Sequence, residues 1–240
     1  MNKIWIIAKR ELRSFFDSLM AYIMIILFLG FTGFFTWISG SDVFFINQAS
    51  LGAFFNIAYW SLFFFIPMLT MRLLAEEQKT GTIELLLTKA VSDWQVVAGK
   101  FLSTFLLIAI TLVLTIPYYI TVANLGQVDH GEVWSGYLGL LLMSASYISI
   151  GLFASSLTNN QIVAILIALA IGILFHIIFG FLTRATSGMT AEIFNYLDLN
   201  THYESITRGV IDSKDIVYFL TIIFGGLIAA ESMLAKRSTN

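Results

Sequence analysis

Long apolar stretches alternate with short polar ones along the whole chain. Crossing the hydrocarbon core of a bilayer as a helix takes about 20 apolar residues, and six stretches are long enough. They are residues 19–39, 54–74, 101–124, 135–157, 162–182 and 216–235. The pattern predicts an all-α integral membrane protein, a single domain over residues 1–240 with six transmembrane helices.

The residues ahead of the first span, 1–18, predict an amphipathic helix. Its apolar face holds Ile4, Ile7, Ala8, Leu12, Phe15 and Phe16. The opposite face is mostly charged and includes Lys9, Arg10 and Arg13. Such a helix lies in the membrane interface beside anionic headgroups, or serves only as a basic flank that orients the first span. We expect no removable signal peptide, because no short apolar core with a small-residue cleavage site follows.

Residues 75–100, between the second and third spans, are charged at both ends and apolar in the middle. Thr80-Gly81-Thr82 predicts a helix break, and Ser92 with Gln95 matches a capping box. We expect two short helices at the membrane surface, the second of which continues through Lys100 into the third span. The segment suits docking of a soluble partner, although an ordinary amphipathic loop is an equally good interpretation.

Small residues mark the fourth span, notably Ser149, Gly151, Ala154 and Ser155. Small side chains let helices approach closely in lipid. The span is therefore predicted to be a central packing helix, with a subunit interface as the alternative. The turn at 158–161 is short enough to make the fourth and fifth spans an antiparallel pair.

Residues 183–215 form the longest segment between the later spans. We expect irregular structure over 183–200 and then a short amphipathic helix that begins at Thr201. Tyr203 lies on its apolar face, and Glu204 and Arg208 form an i, i+4 pair on the other. This hairpin either closes a pathway as an extracytoplasmic gate or caps the surface.

Orientation follows from the basic residues, which favour the cytoplasmic side. Ten of the thirteen Lys and Arg residues share a side with both predicted termini and with residues 75–100, and three lie on the other side. Both termini are therefore predicted to be cytoplasmic.

Composition, charge and the absence of certain motifs exclude several classes of function. The chain is 58% hydrophobic and 12% charged, with a net charge of −2 and no cysteine, which argues against nucleic-acid binding and excludes thiolate sites. The spans hold almost no charge, which argues against a proton- or sodium-driven carrier. His176 is the one titratable side chain deep in a span and is predicted to be hydrogen-bonded between helices. No phosphate-binding GxxxxGK[ST] motif occurs, so no ATP site is expected in this chain.

Two further sites can be set aside. Ser41 lacks a Gly-x-Ser-Gly setting, so an intramembrane serine protease is a remote alternative. His130 with Asp129 and Glu132 is interpreted as a polar loop rather than a metal site.

Several stretches together resemble a known family. Glu76-Glu77, residues 81–88 (GTIELLLT), Ser92-Asp93-Trp94 and Gly99-Lys100 resemble the cytoplasmic coupling segment of ABC-2-type (type V) exporter permeases, although that family usually has proline where this chain has Ala90. Residues 150–161 and 202–212 are most similar to the gliding-motility-associated permeases, GldF and its close relatives.

The resemblance implies the membrane half of an ABC transporter of the bacterial inner membrane. Such a subunit has no catalytic residues and binds no cofactor, since ATP and Mg belong to a partner ATPase. It pairs with a second copy or with a related permease that has a large extracytoplasmic domain. The residues it implies for ATPase coupling are Lys9, Arg10, Arg13, Glu76, Glu77, Gly81, Thr82, Glu84, Leu85, Leu86 and Leu87. A non-transporting mechanotransmission subunit and a vitamin-capturing importer subunit are the alternatives.

Overall fold

The computed structural model describes residues 3–39, 49–81 and 91–238, which form helices joined by short turns. On the N-terminal half these helices are α1 (Lys3–Asp17), α2 (Met20–Trp37), α3 (Gly52–Thr70), α4 (Ala75–Thr80), α5 (Asp93–Val113) and α6 (Ile116–Leu125). On the C-terminal half they are α7 (His130–Leu157), α8 (Gln161–Ile173), the π-helical turn Leu174–Ile178, α9 (Phe179–Ala185), α10 (Met189–Leu197), α11 (Leu199–Thr207) and α12 (Ser213–Ser238).

Six helical stretches within the described residues are long and apolar enough to cross a membrane. They are Met20–Trp37, Gly52–Thr80, Asp93–Leu125, His130–Leu157, Gln161–Ala185 and Ser213–Lys236. Each overlaps one of the stretches predicted from the sequence, so the all-helical, six-span fold is confirmed. We call the end of the bundle with α1, α4 and the turn before α8 the N-terminal face, and the opposite end, with α10 and α11, the hairpin face.

Local sequence signals explain where α5 begins and where the third span breaks. The Ser92 hydroxyl accepts a hydrogen bond from Gln95 N at 3.3 Å, and Ser92 N donates to Gln95 Oε1 at 3.4 Å, which completes the predicted capping box. The helix then continues through Lys100. It ends at Val113, and α6 resumes three residues later with Pro117 in its first turn, where a missing N–H is tolerated.

The fourth span, α7, lies at the centre of the bundle and packs against α3, α5, α8, α11 and α12. About 78% of its apolar window is buried, against 22–56% for the other spans, so it is the packing helix. Ser149, Gly151, Ala154 and Ser155 are all buried within the single chain. The Ser149 hydroxyl lies 3.3 Å from Ile222 O of α12. Ser149 thus binds two helices of one chain to each other, and the other three residues are buried inside the same chain.

On the hairpin face, the structure differs from the expected irregular segment. Residues 183–200 are not irregular: α9 continues to Ala185, and α10 occupies Met189–Leu197. Gly188, with φ +66°, takes a positive-φ conformation that glycine adopts readily, in the turn before α10. The next helix, α11, begins at Leu199 because the Asp198 side chain accepts from Thr201 N at 3.2 Å as its N-cap.

Candidate functional site

Four charged side chains from three helices meet on the N-terminal face. The Lys100 ammonium of α5 lies 2.8 Å from Glu77 Oε1 of α4 and 3.5 Å from Glu11 Oε1 of α1. The Arg10 guanidinium of α1 lies 2.5 Å from Glu11 Oε1 and 3.7 Å from Glu77 Oε1. Each carboxylate therefore faces two cations. We call this cluster (Arg10, Glu11, Glu77 and Lys100) the charge junction.

Burial makes the charge junction different from an ordinary surface ion pair. The Lys100 side chain is 1% exposed, those of Glu11 and Glu77 are 13% and 19% exposed, and that of Arg10 is 52% exposed. A buried ammonium is costly unless anions and hydrogen bonds replace its water. The two carboxylates supply that replacement, so α1, α4 and α5 depend on one another at this point.

The ionisation of Glu11 fits this arrangement. Burial by itself raises the pKa of the Glu11 carboxyl, but the charges of Lys100 and Arg10, with their hydrogen bonds, together outweigh it. The net pKa of Glu11 is below its usual value. Glu11 is therefore an anion at neutral pH, as its two cationic neighbours require.

Close apolar packing places α1 beside the start of α5. Ile7, Ala8 and Phe15 are the buried residues of α1. A Cβ atom on Gly99 would lie 2.7 Å from Ile7 Cγ2 and 3.2 Å from the carbonyl oxygen of Ile4, so only glycine lets the two helices approach this closely. Because Gly99 immediately precedes Lys100, this contact brings the ammonium to Glu11.

A serine of α7 holds the break between α3 and α4. The Ser155 hydroxyl accepts from the backbone N–H groups of Leu74 and Ala75 at 3.1 and 3.0 Å, and donates to Met71 O at 3.0 Å. It thereby satisfies backbone groups that the broken helix leaves without partners. Gln78 adds a bond from its Nε2 to Ser156 O at 3.3 Å. The position of α4, and with it of Glu77, is therefore set by the central helix.

Other predicted coupling residues surround the charge junction. Lys9, Arg13 and Glu76 are exposed. Gly81 ends α4 with φ +69°, the left-handed conformation that glycine adopts at helix C-termini. The remaining predicted coupling residues, Thr82, Glu84, Leu85, Leu86 and Leu87, lie outside the described residues.

On the hairpin face, the three predicted gate residues have different surroundings. Tyr203 is buried, its hydroxyl donates to Phe55 O at 3.4 Å, and its ring lies 4.4 Å from that of Tyr59. Glu204 is exposed and accepts from Asn200 Nδ2 at 2.7 Å. Arg208 is also exposed and lies just beyond the last residue of α11. The structure therefore places Tyr203 in the helix bundle and the two charged residues at its surface.

A buried histidine–aspartate pair joins this hairpin to the last span. His202 Nε2 donates to Tyr196 O at 2.9 Å, because a carbonyl oxygen only accepts. Its Nδ1 lies 2.7 Å from Asp215 Oδ1, with the two side chains 5% and 1% exposed. The His202 ring also stacks on Tyr218 of α12 at 3.9 Å between ring centroids. Sequence reasoning did not single out this pair, whose members are thirteen residues apart.

Comparison with known families identifies the chain. The family described as ABC-2 family transporter protein matches residues 44–235, most of the sequence. The chain belongs to the ABC-2 transporter family. As an ABC-2 permease it is the non-catalytic transmembrane component of an ABC transporter, a multi-pass membrane protein of a family that generally works with a cytoplasmic ABC ATPase. No curated protein matches its sequence.

Two members of the permease's charge junction, Glu11 and Lys100, were not among the predicted site residues. A third, Glu77, was predicted to contact the ATPase, which stays a prediction; its Oε1 lies 2.8 Å from the Lys100 ammonium of the same chain. A signal was present for Lys100, because a lysine in a helix that continues directly into an apolar span needs an anionic partner if it does not reach water.

His176 of the permease is bonded between helices, as the sequence predicted. It lies in the π-helical turn and is buried, and its Nδ1 shares a hydrogen bond with the Tyr59 hydroxyl of α3. The imidazole also lies 5.3 Å from the Phe63 ring and 4.7 Å from the Trp60 ring, centroid to centroid. These contacts attach the fifth span to the second.

Proposed function

We propose that this permease is the membrane half of an ATP-driven exporter, and that its N-terminal face docks a separate cytoplasmic ATPase, which holds ATP and Mg. The observation that supports the proposal is the charge junction with the exposed Lys9, Arg13 and Glu76 around it. A protein that presses on those exposed residues presses on α1 and α4, and both are bonded to the third span.

The proposed arrangement in the membrane has both termini in the cytoplasm of a bacterium, below its inner membrane. The excess of Lys and Arg on the N-terminal face favours this orientation. A second copy, or a related permease with a large extracytoplasmic domain, would complete a twelve-span transporter. The similarity of residues 150–161 and 202–212 to the gliding-motility-associated permeases is the reason for considering the second kind of partner, and both kinds remain part of the proposal.

One observation favours a different function, relay of ATPase motion to an extracytoplasmic partner without transport. The His202–Asp215 pair and the bond from the Tyr218 hydroxyl to Leu197 O, at 2.7 Å, fix α10 and α11 to the start of α12. A hairpin fixed in this way would move with the last span and could transmit its displacement to a protein outside. Retention of a large extracytoplasmic partner, with no transported solute, would favour this function.

Charge reversal of predicted coupling residues tests ATPase docking. We expect Glu76→Lys combined with Glu84→Lys, and separately Lys9→Glu combined with Arg13→Glu, to weaken retention of the ATPase by about tenfold or more, because like charges across an interface cost several kcal/mol. Retention is measured by co-purification in detergent, and coupling by ATP turnover of the complex. Glu77 is left unchanged, since its reversal would also break the charge junction.

The matched control is Glu192→Lys, a reversal of an exposed carboxylate on the hairpin face. It should leave ATPase retention unchanged. If both double reversals behave like this control, the ATPase does not dock on the N-terminal face.

Thiol labelling tests the orientation, and the absence of native cysteine makes each introduced thiol unique. Ser14 of α1 and Ser187 of the hairpin are both exposed. In spheroplasts, a membrane-impermeant maleimide is expected to label Ser187→Cys directly and Ser14→Cys only after permeabilisation. The opposite labelling pattern would place the N-terminal face outside the cell and exclude a cytoplasmic ATPase there.

A further inference from the structure

Lys100 is the cation of the charge junction that belongs to a membrane-spanning helix. We propose that Lys100 is the positioning residue through which α1 and α4 displace the third span, so that the three helices respond to a push on the N-terminal face as one body. The proposal rests on the proposed function for the source of that push, but not for the junction itself.

The geometry separates the roles of the two cations. Arg10 approaches both carboxylates, but it belongs to α1, so its ion pairs bind α1 to α4 alone. Lys100 pairs with Glu77 at 2.8 Å and with Glu11 at 3.5 Å and belongs to α5. Among the described residues, Lys100 therefore connects both surface helices to a membrane span through charge.

Because Lys100 is buried, separating α4 from α5 is costly, and the two helices are expected to move together. If α4 moved away while α5 stayed, the ammonium, 1% exposed, would lose Glu77 without gaining water. Following α4 keeps the pair intact, so the helices move together. Within α5, the side-chain hydroxyls of Ser103 and Thr104 both donate to the Lys100 carbonyl oxygen, at 2.7 and 3.1 Å.

Further along α5, a second contact joins the third span to the first. Thr111, three turns further along α5, donates its hydroxyl to Met24 Sδ of α2 at 3.9 Å. The proposed route thus begins at the N-terminal face, passes through Lys100 and enters the third span and then the first.

The first experiment uses the full chain in nanodiscs without any ATPase. Spin labels at Asp93→Cys, the first residue of α5, and at the exposed Glu76→Cys of α4 report the distance between these two helices by pulsed electron resonance. Native Lys100 should give one narrow distance distribution. Lys100→Met should broaden or shift it, and Lys100→Arg, which keeps a cation beside both carboxylates, should preserve it.

The control is Lys79→Met, which removes an exposed lysine of α4 and should not change the distribution. An unchanged distribution in Lys100→Met overturns the proposal. If that variant does not give monodisperse protein, Glu77→Gln decides, because it removes the α4 carboxylate that lies 2.8 Å from Lys100. A broader or shifted distribution supports the proposal, and an unchanged narrow one overturns it.

The second experiment measures ATP turnover of the complete complex. Lys100→Met is expected to lower turnover by about tenfold, as loss of a strongly coupled contact does, while the bound amount of ATPase changes little and Lys100→Arg restores turnover. Normal turnover in a variant whose label distances have changed would show that Lys100 orders the helices but transmits nothing. Failure of any ATPase to bind contradicts the proposed function and leaves the label distances as a separate result.

Discussion

Replacing Lys100 with methionine is expected to lower the free energy of unfolding by about 3 kcal/mol. Methionine keeps the length of the side chain but removes its charge, which leaves Glu11 and Glu77 close together with Arg10 as their shared cation. Removing one partner of a buried pair costs about 3–5 kcal/mol, and the partial exposure of the two carboxylates favours the lower value. The shift of the thermal midpoint in detergent measures the loss.

Lys79→Met is the matched control, because Lys79 is exposed and lies on α4 itself. A surface substitution of this kind changes stability by about 0.5 kcal/mol or less. Equal midpoints for the two variants would contradict the structural role of Lys100.

Acid, like the loss of Lys100, should lower the free energy of unfolding of the native protein. The pKa of Glu11 in the folded chain is below its usual value, so the stabilisation is complete at neutral pH. It is lost as the pH falls through the lowered pKa, where the carboxylate of the folded protein takes up a proton. In Lys100→Met this part of the pH dependence should be smaller, because a main cause of the lowered pKa is gone.

Gly151→Ala is expected to destabilise the bundle by about 2 kcal/mol. An added Cβ would lie 2.0 Å from Thr70 Oγ1 and 2.7 Å from Thr70 Cβ, well inside van der Waals contact. Thr70 is buried and its hydroxyl donates to Ile66 O at 3.0 Å, so it has little freedom to move away. Overpacking of this kind costs about 1–3 kcal/mol, and thermal unfolding in detergent measures it.

The same substitution at Gly225 provides the comparison, since no atom lies within 4 Å of the Cβ position there. Gly225→Ala should be neutral or stabilising by up to about 1 kcal/mol, the helix preference of alanine over glycine. Thr70→Ala combined with Gly151→Ala should recover only part of the loss, because alanine at position 70 keeps the Cβ atom that lies 2.7 Å from the added one. Equal effects at the two glycines would show that α3 and α7 are packed less closely than the structure indicates.

Hydropathy and local capping predicted most of the architecture. The six spans follow from apolar length, because the bilayer requires about 20 apolar residues for a helix that crosses it. The start of α5 follows from Ser92 and Gln95, which satisfy each other's backbone groups within three residues. These signals are local, and a single sequence is sufficient to read them.

The charge junction could not be predicted in this way. Glu11 and Lys100 are far apart in the chain and meet only because α1 folds back against Gly99 at the start of α5. Ser155 was recognised as a small residue, but its bonds to the α3–α4 break depend on where α3 ends. The helix α10 was missed because the Ser-Gly sequence before it resembles a loop, whereas Gly188 only turns the chain.

The π-helical turn of the fifth span affects how the rest of that span is oriented. A turn of this type accommodates about one more residue than an α-helical turn, and each residue rotates an α-helix by about 100°. Side chains of Phe179–Ala185 are therefore offset around the axis from where a helical wheel drawn from Gln161–Ile173 would place them. Any comparison of lipid-facing and protein-facing positions along this span needs two separate wheels, one on each side of His176.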